Sequence, residues 1–265
     1  MKNVLMTMAA GAALAGCMTT ASAPCAAPNT LTDAEKAVGW TLLWDGKTFD
    51  GWVGEKTGLK APPAKGWVIA DGVLTVLPTS RITPEGRWEK LPPEEAARGG
   101  GGDLVTAKDY RDFELLVDFR LTRAANSGIK YFYDPKRFKG TCEEYQILDA
   151  AHPDATKGRD GMCRRVASLY DMIPARAEGA VKPLGEWNTA KIVAKGDVVE
   201  HWLNGVKLIT YTRGSAAFRA AVAASKYAKE QKPGERWGET PAGRIKLQDH
   251  GDSTVSFRNI KIRAL

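Results

Sequence analysis

The chain has 265 residues, of which 43% are hydrophobic and 26% are charged, so it can bury a sizeable core and is not expected to be disordered. Its formal net charge of +7 is scattered along the sequence. The densest basic clusters, residues 136–139 and Arg164–Arg165, are short and lack the interleaved aromatic side chains of a nucleic-acid surface. We therefore expect a globular protein that does not bind nucleic acid.

Residues 1–17 are typical of an export signal, with a basic residue, an apolar run too short to span a bilayer, and then small residues. The stretch LAGC also resembles the bacterial lipobox, in which Cys17 would receive a lipid and become the mature N-terminus. Cleavage after residues 21–23 is the alternative, but Pro24 would then follow the cut. Both routes predict a bacterial protein that is periplasmic or anchored to the outer membrane, with membrane contact only through the lipid.

Residues 18–37 are small, polar and proline-containing, which predicts a flexible tether, and the folded domain is expected to span 38–265. From Trp40 onward, runs rich in Val, Ile, Leu, Trp and Tyr alternate with Gly, Asp and Asn. Asp71-Gly72 and Asn204-Gly205 each separate two such runs. Both dipeptides favour a type I′ hairpin turn, because that turn needs positive φ at both central positions.

Few segments predict a helix. Residues 112–121 (DFELLVDFRL) alternate as a half-buried strand does. Residues 215–230 are Ala-rich and predict a helix, and residues 92–99 (PPEEAARG) are a weaker candidate. Many short strands and few helices predict an all-β fold, a jelly-roll sandwich of two antiparallel sheets with one or two short helices in its loops.

The strand predicted at residues 143–149 (EEYQILD) contains acidic residues, which strand interiors usually lack. Because side chains alternate across a strand, Glu144 and Gln146 share one face and Glu143 shares the other with apolar residues. We expect Glu144 and Gln146 to face a groove, where an acid and an amide could bind a polyhydroxylated ligand, and Glu143 to be dispensable for catalysis. A solvated sheet face is the alternative.

Two further segments carry polar residues in a strand-like context. IKLQDHGD places Gln248 and His250 on one face, and histidine titrates near neutrality. AANSGIKYFY places Asn126, Gly128 and Lys130 on one side, and a glycine inside a strand permits close approach of a ligand or another element. These residues are candidates for the same groove.

Two of the four cysteines, Cys142 and Cys163, flank the polar strand. An oxidising compartment permits a disulfide between them, although both could be buried thiols. No spacing of cysteine and histidine residues predicts a zinc site.

Eight segments of the chain together resemble the 3-keto-disaccharide hydrolase family, which was long described only as a domain of unknown function. They are GWTLLWDGKTFDGWVG, WVIADGVL, DLVTAKDYRDFELLVDFRL, NSGIKYFY, EYQILD, SLYDMIP, GEWNTAKIVAKGDVVEHWLNGVKL, and GRIKLQDHGD with the later FRNIKIR. The resemblance covers about residues 38–265. It implies a concanavalin-like jelly roll, export from the cell, and action on sugars whose 3-hydroxyl has been oxidised to a ketone.

The resemblance also implies that the polar motif residues line one concave sheet. We assign Glu144 and His250 as the catalytic pair. The substrate-binding candidates are Asn126, Lys130, Gln146, Tyr170, Asn188, Gln248 and Asp249. The chain departs from the family pattern at Lys130, where an apolar or aromatic residue is expected, and in the segment between Cys142 and Cys163, which looks lengthened.

A ketone at carbon 3 acidifies the proton on carbon 2, and its removal allows the glycosidic oxygen to leave carbon 1 before water adds back. This reaction needs a base, an acid, and donors or a metal for the developing oxyanion. Glu144 and His250 could be the base and the acid in either order. A divalent metal held by Glu144, Asp249 or His250 is compatible with the sequence, but no spacing demands it, and no other cofactor is predicted.

Two alternatives also take a carbohydrate as the partner. A retaining glycosidase needs two carboxyl groups about 5 Å apart, but the amide of Gln146 stands at the alternate position where a second carboxylate would be expected. A binding module without catalysis would favour a platform of exposed aromatic residues, for which Trp187 and Trp202 are the candidates.

Overall fold

The computed structural model describes residues 27–231 and 233–265. The predicted export signal, the lipidation candidate Cys17 and residues 18–26 of the predicted tether lie outside these ranges. Within them, no helix is both long enough and apolar enough to cross a membrane.

The described strands, numbered in chain order, are β1 (Thr41–Leu42), β2 (Trp52–Gly54), β3 (Trp67–Ala70), β4 (Val73–Val76), β5 (Ser80–Ile82), β6 (Trp88–Lys90), β7 (Leu104–Thr106), β8 (Phe113–Leu121), β9 (Asn126–Tyr133), β10 (Glu143–Leu148), β11 (Trp187–Lys195), β12 (Val198–Leu203), β13 (Val206–Thr212), β14 (Arg244–Leu247) and β15 (Val255–Ala264). The α-helices are α1 (Asp33–Ala37), α2 (Pro93–Ala96) and α3 (Ala216–Ala223). Short 3₁₀ segments lie at Glu55–Thr57, Phe138–Gly140, Pro153–Thr156, Arg159–Gly161 and Lys226–Glu230.

Two antiparallel sheets form the sandwich. The larger sheet has the order β13-β12-β11-β8-β15-β4-β3, with β1 paired to β15, and the smaller has the order β10-β9-β14-β7-β2. Strands β5 and β6 form a separate hairpin. This arrangement confirms the predicted all-β jelly roll with few, short helices.

The core lies between the two sheets, because both turn apolar side chains inward. In the larger sheet, Phe113 and Val117 of β8 are buried, as the alternating pattern predicts. In the smaller sheet, Ile129 of β9 and Tyr145 of β10 belong to the same apolar cluster. Fully burying a side chain of this size contributes roughly 1.5–3 kcal/mol. The intervening residues of β9 and β10 therefore face away from the core.

Both predicted hairpin turns are confirmed. Asp71 and Gly72 have φ of 51° and 70°, and they join β3 to β4. Asn204 and Gly205 have φ of 49° and 84°, and they join β12 to β13. Positive φ at both central positions is the geometry that these dipeptides favour.

Ordered structure begins before residue 38. Thr32 and Glu35 form a capping box at the start of α1. Asn29 is buried, and its side chain donates to the Gly72 carbonyl at 2.8 Å while its backbone N–H donates to Asn259 Oδ1 at 2.6 Å. Residues 27–37, which the sequence analysis assigns to the tether, therefore include a helix and pack on the domain.

The two predicted helical segments are both present in shortened form. Residues 92–99 contain the single turn α2. Residues 215–230 contain α3, whose N-terminus is capped by Ser215, and then the 3₁₀ segment that begins at Lys226. The break between α3 and this segment carries Lys226 toward the smaller sheet, where it lines the cavity described below.

The predicted disulfide between Cys142 and Cys163 is wrong, because both are free, buried thiols. Cys142 immediately precedes β10 and packs in a small cluster with Val105 and Tyr133. The Cys163 thiol donates instead to the Arg159 carbonyl at 3.2 Å. The two thiols therefore have different neighbours and do not contact each other as a disulfide would require.

Candidate active site

Polar side chains from neighbouring strands meet on the face of the smaller sheet that turns away from the core. The antiparallel register places Glu144 opposite Lys130, and Gln146 opposite Gly128. The backbone N–H of Gln248, just beyond β14, donates to the Gly128 carbonyl at 3.0 Å. Three separate segments therefore converge on one patch of the sheet.

A cavity of about 330 Å³ opens on this patch. Seven of the nine predicted catalytic and substrate-binding residues line it: Asn126, Lys130, Glu144, Gln146, Tyr170, Gln248 and His250. The remaining lining residues are Gly140, Thr141, Cys142, Lys226, Tyr227, Lys229 and Glu230. The predicted groove is therefore present, and most of its predicted residues are brought together.

Asn188, predicted to bind substrate, does not line the cavity. This residue lies on β11, in the larger sheet, and it is 1% exposed. Its Oδ1 accepts from the Lys182 backbone N–H at 2.9 Å and from Asn204 Nδ2 at 2.8 Å. Asn188 therefore holds the hairpin turn and the preceding loop together, away from the cavity.

Asp249, the other predicted substrate-binding residue outside the cavity, forms hydrogen bonds with the loop before β7. Its Oδ2 accepts from the Gly102 backbone N–H at 2.9 Å, and its own N–H donates to Asp103 Oδ1 at 3.0 Å. It does not line the cavity, so Glu144, Asp249 and His250 do not form one set of metal ligands. In the described part of the chain, no group of three or more His, Cys, Asp or Glu side chains is arranged to hold a metal ion.

The Glu144 carboxylate lies next to Gly128 on the neighbouring strand. A side chain at position 128 would overlap Oε1 of Glu144, so the glycine makes room for the acid. Glu144 is only 4% exposed, and burial raises its pKa although the charges of Lys130 and Lys226 oppose that shift. Among the residues that the structure describes, none donates a hydrogen bond to this carboxylate, which therefore remains available to accept a proton.

Two lysine side chains bring positive charge to the same cavity. Burial disfavours the Lys130 ammonium, but Asp103, whose Oδ2 lies 3.2 Å from Nζ, and Glu144 outweigh it and raise the pKa. The Nζ of Lys226 lies 4.2 Å from the centre of the Tyr170 ring, and burial lowers the pKa of this lysine. Two cations that line one buried site can stabilise an oxyanion that forms there.

His250 is oriented by Asp252. The Nδ1 of His250 lies 2.7 Å from Asp252 Oδ2, and because an ionised carboxylate only accepts, Nδ1–H is the donor. Burial disfavours the imidazolium, but the hydrogen bond and charge of Asp252 outweigh it and raise the pKa of His250. The other ring nitrogen, Nε2, is left for a group in the cavity.

Asp252 is itself held by buried partners. The same Oδ2 lies 3.1 Å from Nε2 of His152, whose Nδ1 accepts from the Asp154 backbone N–H, so Nε2 of His152 is the donor. Oδ1 of Asp252 accepts from the Ser253 hydroxyl at 2.8 Å. Burial opposes ionisation, but the two histidines and Ser253 lower the pKa of Asp252 to about 2. Asp252 is therefore a fixed negative charge behind His250.

Two glutamine oxygens of the cavity residues are buried and have no hydrogen-bond partner among the residues that the structure describes. They are Oε1 of Gln146 and Oε1 of Gln248. Gln146 Nε2 donates to Asn126 Oδ1 at 3.4 Å, so its amide is already oriented. Because a buried acceptor without a donor costs free energy, both oxygens are suited to accept hydrogen bonds from water or from the hydroxyl groups of a ligand.

Sequence reasoning missed Lys226, His152 and Asp252. Lys226 lies in the second half of the segment that predicts a helix, and no sequence motif indicates a functional role for it. His152 follows the polar strand, and Asp252 lies two residues after His250. Their closeness in sequence to predicted site residues is the feature that could have identified them.

A buried carboxylate, an oriented histidine, two cations and two glutamines gather at one face of a jelly-roll sheet, an arrangement typical of an enzyme that acts on carbohydrates. The model of the family described as the 3-keto-alpha-glucoside-1,2-lyase-like domain matches residues 39–263. The chain belongs to this family, which confirms the resemblance seen in the sequence, and it is an enzyme that cleaves glycosidic bonds.

Individual proteins support the same assignment. The chain is 36% identical to the 3-keto-disaccharide hydrolase of Bacteroides thetaiotaomicron over 248 residues, which are 86% of this chain and 79% of that protein. A candidate glycosyl hydrolase from Parabacteroides distasonis has a crystal structure that superposes with a TM-score of 0.70 at 31% identity, covering 90% of this chain and 100% of its own. A second from the same organism gives a TM-score of 0.60 at 25% identity, covering 85% and 99%.

Proposed function

We propose that the chain cleaves the glycosidic bond of 3-keto-sugars by elimination followed by hydration. The observation that carries this proposal is Glu144, a buried carboxylate to which none of the described residues donates a hydrogen bond. It lies near the charges of Lys130 and Lys226 and shares its cavity with His250. The alternate strand position holds the amide of Gln146, so the strand does not supply the carboxylate pair of a retaining glycosidase.

In the first step Glu144 removes the proton from carbon 2. The electrons of that C–H bond form a double bond between carbons 2 and 3, and the ketone oxygen becomes negative. Lys130 and Lys226 stabilise this oxygen. Burial supports Glu144 as the base, because a raised pKa makes its carboxylate a stronger proton acceptor.

In the second step the oxygen's electrons restore the ketone, a double bond forms between carbons 1 and 2, and the bond from carbon 1 to the glycosidic oxygen breaks. His250 donates its Nε2 proton to the departing oxygen. This role suits His250 because Asp252 favours its protonated form. Water then adds to carbon 1, giving its proton to His250. Glu144, which has exchanged its proton with solvent in the open cavity, protonates carbon 2, so the net reaction is hydrolysis.

The test offers the purified protein a 3-keto-disaccharide and its unoxidised parent, in heavy water. We expect turnover of the oxidised sugar alone and deuterium at carbon 2 of the released 3-keto-sugar. The authentic 3-keto product, incubated in heavy water with and without the protein, corrects for exchange after release. Equal turnover of the parent sugar, or product without deuterium at carbon 2, would contradict the proposal.

A further inference from the structure

Trp88 is the one aromatic residue among the large hydrophobic side chains that the described part of the chain exposes, with 52% of its surface accessible. It belongs to β6, in the hairpin that lies apart from both sheets of the sandwich. Its indole lies beside the ring of His250, with ring centres 6.5 Å apart and an interplanar angle of 32°. The ring centres of Trp88 and His152 lie 5.8 Å apart, in a T-shaped arrangement.

Trp187 and Trp202, the sequence-based candidates for an aromatic platform, each have a cationic side chain over the ring. The ring of Trp187 has the guanidinium of Arg258 at 4.2 Å and that of Arg120 at 4.8 Å from its centre. The ring of Trp202 has the ammonium of Lys191 at 4.0 Å. Trp88 has only the two histidine rings as ring contacts in the described chain, so much of its surface is open to a ligand.

The hairpin that carries Trp88 is fastened to the turn that carries His250. Thr79 and Ser80 each donate through the backbone N–H and the hydroxyl to the Gly251 carbonyl, over distances of 2.8 to 3.1 Å. The Arg123 guanidinium donates to the carbonyls of Thr83 and Pro84 at 3.3 and 3.0 Å. Trp88 and His250 are therefore held in a defined relation, which reduces the ordering cost of binding between them.

We propose that Trp88 is the stacking platform for the sugar ring that leaves, an inference that rests on the proposed function. His250 lines the cavity and also contacts Trp88, whereas Trp88 does not line the cavity. If Glu144 holds carbon 2 and His250 protonates the glycosidic oxygen, the ring beyond that oxygen lies on the Trp88 side of His250. An indole offers the broad apolar surface on which the C–H face of a pyranose packs. Trp88 therefore favours substrates whose leaving group is itself a sugar over those with a small leaving group.

Binding measurements test the platform without depending on the reaction. Calorimetry compares an unoxidised glucose disaccharide with methyl glucoside on the wild type and on Trp88→Ala. We expect the disaccharide to bind the wild type more tightly, and Trp88→Ala to weaken only the disaccharide, by about tenfold. Trp88→Phe should retain most of the affinity, and Trp187→Ala, a change on the larger sheet, should alter neither ligand. Disaccharide binding that is no tighter than that of methyl glucoside, or is unchanged in Trp88→Ala, overturns the inference.

Kinetics separate a failure of the platform from a failure of the proposed function. With a 3-keto-disaccharide and methyl 3-keto-glucoside, Trp88→Ala should lower kcat/KM about tenfold for the first and less than about twofold for the second. An equal loss on both, or a shifted pH profile, would mean that Trp88 acts only by positioning His250, and the platform would be rejected while the reaction stands. A wild type that converts neither substrate would reject the reaction, and the calorimetry would still decide whether Trp88 binds sugar.

Discussion

The carboxylate of Glu144 occupies the space that a side chain on Gly128 would need, so a methyl group at position 128 would overlap Oε1. The acid is thus positioned by the absence of a side chain on the neighbouring strand. We expect Gly128→Ala to displace the carboxylate and to lower kcat/KM by roughly tenfold or more, with the overall fold retained. A double-mutant cycle with the shorter acid in Glu144→Asp measures the coupling. If the two changes proved additive, the contact would have no role in placing the acid.

Glu144→Gln keeps the shape of the side chain and removes the group that accepts the proton. Loss of general acid–base catalysis typically costs about 10²–10⁴-fold in turnover. We expect that loss in kcat, together with loss of deuterium uptake at carbon 2. The matched control is Glu94→Gln on α2, where the carboxylate is exposed and outside the cavity. A fully active Glu144→Gln enzyme would remove Glu144 from the base role.

The pH profile of kcat/KM should be bell-shaped, because the reaction needs Glu144 ionised and His250 protonated. Burial raises the pKa of Glu144, so activity should already fall as the pH drops toward that value. Asp252 raises the pKa of His250, so removing its charge in Asp252→Asn lowers that pKa and moves the alkaline limb to lower pH. Asp33→Asn, which removes an exposed charge on α1, should leave the limb in place. An unmoved alkaline limb in Asp252→Asn would argue against His250 as the acid.

Glu143 lies on the core side of β10, as alternation predicts, and forms a buried ion pair there. Its Oε1 accepts from Arg213 Nε at 2.9 Å, and both side chains are buried. Glu143→Ala leaves the buried guanidinium without its carboxylate partner, which should cost about 3–5 kcal/mol of stability. Glu143→Gln keeps an acceptor oxygen and should cost much less. Equal melting temperatures for the alanine variant and the wild type would show that the pair is unimportant.

The same residue predicts a pH dependence of stability. Burial raises the pKa of Glu143 to about 7, against the opposing charge of Arg213. The folded state therefore holds this proton more tightly than the unfolded state, so the contribution of Glu143 to stability is lost as the pH rises from about 4.5 to about 7. Thermal unfolding at about pH 5 and pH 7.5 should show a fall in the wild type, relative to Glu143→Gln, which has no group to titrate. Parallel curves for the two proteins would contradict this assignment.

Anchoring at Cys17 is predicted by the LAGC stretch, which lies outside the described residues. We expect cells given a fatty-acid analogue to incorporate it into the wild-type protein and not into Cys17→Ser. The control is Cys25→Ser, which keeps the lipobox and should label normally. Labelling of Cys17→Ser at the wild-type level, or no labelling of the wild type, would exclude lipidation at this position.

Local rules were sufficient for the strand that carries the acid. Alternation along β10 separates Glu144 and Gln146 from Glu143, and the structure keeps that division because one face of the strand packs in the core. The dipeptides at 71–72 and 204–205 form the predicted turns for an equally local reason, since positive φ is a property of those residues. Strand alternation and the resemblance to the family together predicted seven of the fourteen residues that line the cavity.

The tertiary structure decided which polar residues share a site. Asn188 and Asp249 lie in the recognised motifs, yet their hydrogen bonds hold a turn and a glycine loop, and the two cysteines fall in separate surroundings. Lys226 lines the cavity with Glu144 because α3 ends before that lysine, and Trp88 lies beside His250 because its hairpin is bonded to Gly251. The sequence by itself determined which face each side chain takes, because that depends on neighbours along the strand. Which faces meet depends on contacts between residues far apart in the chain, and packing of the whole sandwich alone establishes those.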